Sequence, residues 1–196
     1  MYKRQVKLQK ILCLALLIVS ALIFLYALGI MTDLYDALYS TISDPRNLDE
    51  TDVAGSRVYY DMQPFNRDLL RASIGMILLC VTLFITNTHK RRKYYIGNYL
   101  STAVVAAGAA AFSIWAHNGI EFYKAQFLRV NFEELAEFAE IWETLYTEST
   151  FWFDIHYVLF GALLALVFLL AANLFWKRGL MKKEQTLIAQ GKEAAA

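Results

Sequence analysis

His117 and His156 are the residues of this chain best suited to chemistry. They stand near the ends of two long uncharged runs, 94–120 and 155–176, with Glu121 four residues after the first histidine and Asp154 two before the second. Imidazole and carboxylate are common donors to transition metals, so His117, Glu121, Asp154 and His156 form a candidate four-ligand metal cluster. The two histidines alone would also suit axial ligation of a haem. Against both readings, His, Asp and Glu at the ends of apolar helices are ordinarily solvated or hydrogen-bonded boundary residues. The expectation is therefore boundary residues and no cofactor, with a small membrane haem or metal redox protein as the alternative.

Nothing else in the sequence declares a reaction. There is no glycine-rich phosphate loop, no nucleophile motif and no His-Glu-x-x-His, so the chain is not expected to be an enzyme. Cys13 and Cys80 both lie inside apolar runs and read as small buried hydrophobes rather than a redox pair. With 58% hydrophobic residues and a net charge of +1, the chain is too apolar for an ordinary soluble domain and offers no surface for nucleic acid.

The apolar residues are gathered into blocks, and the blocks define the elements that must hold those histidines. The basic knot His89-Lys90-Arg91-Arg92-Lys93 separates two uncharged runs. Four such cations at a bilayer centre would cost on the order of 10 kcal/mol, so the knot belongs in water. A turn this short makes its flanking helices adjacent and antiparallel. The expected fold is all-α: a polytopic membrane protein with four transmembrane helices at about 11–32, 72–88, 94–120 and 155–176. The first run is 22 residues, longer than a signal-peptide core of roughly 7–15, and is expected to be a retained helix. Leu34 and Leu38 predict that it continues beyond the membrane, and Val58–Phe65 reads as an extended aromatic stretch.

Charge orients the bundle. Thirteen of the 19 Lys and Arg fall in 1–10, 89–93 and 177–196, whereas 16 of the 18 acids fall in 33–71 and 121–154. The positive-inside rule then predicts a plasma-membrane protein with both termini and the knot in the cytoplasm, and with loops 33–71 and 121–154 outside.

Two surfaces stand out as contacts. The third span carries Ala103, Ala107, Gly108 and Ala111 among its small residues, a pattern that lets helix backbones approach closely. It predicts either the buried centre of the bundle or a contact with another subunit. The second outer loop places Phe132, Leu135, Phe138, Trp142 and Leu145 at helical spacing opposite Glu133, Glu137 and Glu140, predicting an extra amphipathic helix over about 131–146, with Asn131 and Glu134 as its capping box. Acidic residues are repelled by anionic lipid, so the stripe is expected to meet protein.

Mid-span polar residues are limited to groups such as Ser20, Thr82 and Ser113, which leaves no path for a charged solute through the chain itself. By subtraction, the expected function is a non-catalytic accessory subunit whose partners are the lipid bilayer and other integral subunits, a transporter complex foremost. An oligomeric channel is the second alternative.

Overall fold

The computed structural model describes residues 2–39, 54–55, 57–88, 95–142 and 147–193, and every regular element among them is helical. In chain order these are α1 (Tyr2–Tyr39), α2 (Val58–Asp61), α3 (Gln63–Thr88), α4 (Tyr95–Phe127), α5 (Phe132–Trp142) and α6 (Phe151–Glu193). Four of them, α1, α3, α4 and α6, are long and apolar enough to cross a membrane. They contain the expected spans, Tyr94 excepted, and overrun them at nearly every end. Lys, Arg, Gln and Glu flank the apolar runs and are good helix formers, so the helix does not stop where hydrophobicity does. α6 shows this best. Its 43 residues continue through Gly179 to Glu193, a length of about 65 Å and roughly twice a hydrocarbon core.

One expectation is overturned at 58–65. The stretch is helical rather than extended, with Val58–Asp61 in α2 and Gln63, Pro64 and Phe65 opening α3. Proline in the first helical turn has no intrahelical bond to lose, and its fixed φ suits that position. The basic knot lies outside the described residues, as do residues 143–146 of the expected amphipathic helix.

The chain divides into two compact units, and α1, α3, α4 and α6 contribute to each. The first comprises Met1–Ser20, Met76–Ala109 and Ala162–Ala196. Its apolar core includes Leu16, Leu83, Leu163 and Leu170, all fully enclosed. Cys13 and Cys80 are buried free thiols, as expected of small core residues. Ser20 Oγ donates to the Leu16 carbonyl at 2.8 Å and lies 3.2 Å from Cys80 Sγ, the pairing available to a hydroxyl in an apolar helix.

A polar relay crosses this unit. Gln5 Nε2 donates to Gln9 Oε1 at 3.0 Å, Gln9 Nε2 to Asn87 Oδ1 at 2.7 Å, and Asn87 Nδ2 to Ser101 Oγ at 2.9 Å. Three helices are tied together by amides that are both donor and acceptor and carry no charge into the apolar interior.

The second unit comprises Ala21–Gly75 and Ala110–Gly161. Aromatic rings fill it. Phe65 lies against Trp115 and Tyr123 at centroid distances of 5.1 and 5.5 Å, and Phe112 meets Phe160 edge-on at 5.2 Å. Gly119 makes the first cluster fit: a Cβ there would lie 2.1 Å from the Phe65 ring. Gly55 has a different reason. Its φ of +81° is the left-handed conformation that side chains resist, and its backbone packs against Val130. Beside it, Asn131 N–H donates to the Ala54 carbonyl at 2.9 Å, fixing the start of α5 against the segment before α2.

Candidate functional site

The imidazoles of His117 on α4 and His156 on α6 are brought into direct contact, with Nδ1 of the first 3.0 Å from Nε2 of the second. Both residues belong to the second unit. His156 is 1% exposed, and its Nδ1 is hydrogen-bonded to the Phe153 carbonyl one turn back. A carbonyl only accepts, so the His156 proton sits on Nδ1 and its Nε2 presents a lone pair. In the neutral pair, His117 Nδ1–H donates to that lone pair. Glu121, one turn after His117 on α4, places Oε1 4.0 Å from His156 Nε2. The donor atoms of His117, Glu121 and His156 all lie within 4.8 Å of one another.

Asp154 does not join them. Its carboxylate is paired with Lys124 Nζ, and Thr150 Oγ1 donates to it at 2.7 Å. The cause is local. Thr150 precedes α6 and its carbonyl accepts from the amides of Phe153 and Asp154, so Asp154 lies over the helix start beside Thr150. The candidate four-ligand set is thus a three-donor cluster next to a separate ion pair. The histidine contact also bears on haem. Two axial ligands need an iron and its macrocycle between their nitrogens, whereas these rings touch.

Three participants escaped sequence reasoning. Tyr157 Oη donates to Glu121 Oε1 at 2.8 Å, its ring lies 4.1 Å from that of His156, and Lys124 and Thr150 occupy Asp154. Tyr157 adjoins His156 in the chain and Lys124 lies one turn from Glu121, but which helix faces α4 at this level is a tertiary fact.

The contact surfaces divide differently from expectation. Ala103, Ala107 and Ala111 are exposed on α4, while Val105 and Ala109 of the same helix are buried. Gly108 is not part of that exposed row: a Cβ there would meet the Leu79 side chain of α3 at 3.0 Å. Ile96, Leu100, Val104 and Ile114 are exposed on the same helix. On α5, Leu135 is 1% exposed and Phe132 packs against Phe127, itself buried against Phe153, so this part of the stripe is covered by the chain's own helices. Glu133, Glu137 and Glu140 are exposed. At the helix start, Glu134 N–H donates to Asn131 Oδ1 at 3.4 Å and Asn131 Nδ2 to Glu134 Oε2 at 3.1 Å. Phe138 and Trp142 lie within α5, but their side chains, like Leu145, are outside the described set.

In comparisons with known proteins, no family model, curated protein or solved structure matches this chain.

Proposed function

We propose that the chain is a non-catalytic integral subunit of a larger plasma-membrane complex, a transporter being the class we favour, and that it docks through α4. The observation carrying this reading is the row Ala103, Ala107 and Ala111, which recurs every four residues and is exposed on the isolated chain. Lipid tails supply no hydrophobic force between helices, and association in a bilayer depends on close packing. A row of methyl groups between larger neighbours such as Leu100 and Val104 is a shallow groove into which another helix fits. The uncharged middles of the four spans support an accessory role, since they provide no polar route for a solute. The distribution of Lys and Arg supports cytoplasmic termini, which puts the histidine pair at the outer ends of its helices.

Photocrosslinking in native membranes tests the reading. A crosslinking amino acid at Ala107 is expected to yield one discrete protein adduct, and the same probe at Phe168, exposed on α6, none. Ala107→Leu, at an exposed position, is expected to abolish co-purification of that adducted protein while leaving the chain folded in detergent. Identical adducts from both positions, or full recovery of the partner with Ala107→Leu, would remove the docking face.

A further inference from the structure

We propose that His117, Glu121 and His156 form a binding site for one divalent transition-metal ion of the zinc class, with three protein ligands and one open position. The proposal is independent of the docking reading.

Donor chemistry comes first. Two imidazole nitrogens and one carboxylate oxygen suit Zn2+ and its neighbours, whereas Ca2+ and Mg2+ call for oxygen shells. Spacing comes second. A tetrahedral ion about 2.1 Å from each ligand holds the ligands about 3.4 Å apart. The His117–His156 pair at 3.0 Å and the His156–Glu121 pair at 4.0 Å bracket that value, and with all three donors within 4.8 Å of one another, side-chain movements of about an ångström close the set.

Preparation of the ligands is the third and most specific point. Metal-bound histidines ordinarily donate their other ring N–H to a carbonyl or carboxylate, which fixes the tautomer and aims the lone pair. The Phe153 carbonyl does this for His156. The Tyr157 hydroxyl does the corresponding work for Glu121, holding Oε1 from outside. His117 is the adaptable ligand. Binding through Nδ1 requires its proton to move to Nε2, and the exposure of this residue lets solvent carry the exchange. In the neutral pair, the ion takes the place of the hydrogen bond between the two rings. Asp154, held by Lys124 and Thr150, stays outside and leaves the fourth position to solvent or a small ligand.

The experiment uses the full chain in detergent, freed of its affinity tag, stripped by chelation and titrated with Co2+. The expected result is one equivalent bound, with the intense visible bands of a tetrahedral centre that Zn2+ bleaches and Mg2+ or Ca2+ does not. Affinity should fall as pH falls, since protons compete for both imidazoles. His117→Ala, at an exposed position, is expected to weaken binding by at least about tenfold, and Tyr157→Phe by about 10–100-fold, while Asp154→Asn leaves it unchanged. The intact protein's spectrum is read without any variant, so a misfolded mutant cannot decide the matter. A spectrum no different from that of aqueous Co2+, displacement by Ca2+ or Mg2+, or equal binding by His117→Ala would overturn the proposal, as would a loss with Asp154→Asn matching that with His117→Ala.

Discussion

The two units of this chain hold polar groups of different character, amides and hydroxyls buried in the first and a part-exposed cluster of titratable side chains around the buried His156 in the second. The first buries Gln5, Gln9, Asn87, Asn98 and Thr102, with Lys177 as the charged side chain among them. The second gathers His117, His156, Glu121, Lys124, Asp154 and Tyr157 within a set of paired contacts. Amides keep one charge state at every accessible pH and pair equally well as donor or acceptor, so they serve as joints between helices. Imidazoles and carboxylates exchange protons and bind cations, so they can respond to what surrounds them. The first unit has the chemistry of a fixed fastening and the second the chemistry of a site, although the same four long helices build both.

The comparison breaks most readily through the aromatic packing of the second unit. Gly119→Leu puts a side chain where the Phe65 ring lies, and overpacking of this kind is expected to cost about 3 kcal/mol, the upper end of the usual range. Gly97→Leu, where a Cβ meets nothing within 4 Å among the described residues, should leave internal stability unchanged. Unfolding in increasing SDS, followed by loss of helical circular dichroism, compares the two; equal midpoints would show that the Phe65 seat is not required.

A middle-sized effect tests the fastening. Gln9→Leu strands the Asn87 side-chain carbonyl and is expected to cost about 1–3 kcal/mol. The double variant Gln9→Leu/Asn87→Leu should cost less than the two single changes added together, because removing both partners strands fewer groups. If amides are only joints, neither the single nor the double variant alters Co2+ binding at the histidines. Additive losses in the same SDS assay would show that the two residues do not act as a pair.

The smallest effect is expected at the ion pair. Lys124 and Asp154 have side-chain exposures of 20% and 46%, so solvent screens their attraction. Lys124→Met should cost little stability, with the difference from wild type shrinking as salt rises. The informative part lies in the sequel: a freed Asp154 becomes available to the cluster, so Co2+ affinity should rise or hold. A fall in affinity would mean that Lys124 positions Glu121 or His156 rather than merely occupying Asp154.

The sequence by itself determined the number of long apolar helices and their approximate limits. Length and hydrophobicity are local properties, and a run such as 155–176 can be read without knowing its neighbours. It also offered His117, Glu121, Asp154 and His156 as candidates, because their residue types and their places at the ends of apolar runs are visible in one dimension. Backbone propensity near Pro64 was misleading until the helix start was seen, since the same proline serves an extended stretch and a first helical turn. Tertiary structure alone decided that the two histidines touch, that Asp154 belongs to Lys124, that Tyr157 holds Glu121, and that Ala103, Ala107 and Ala111 face outward while Gly108 meets Leu79. Each of those facts depends on the rotation of one helix about its axis relative to another. Small residues recur so densely along α4 that periodicity could not say which row faces inward, and side chains on different helices carry no mark in the sequence of who their partners are.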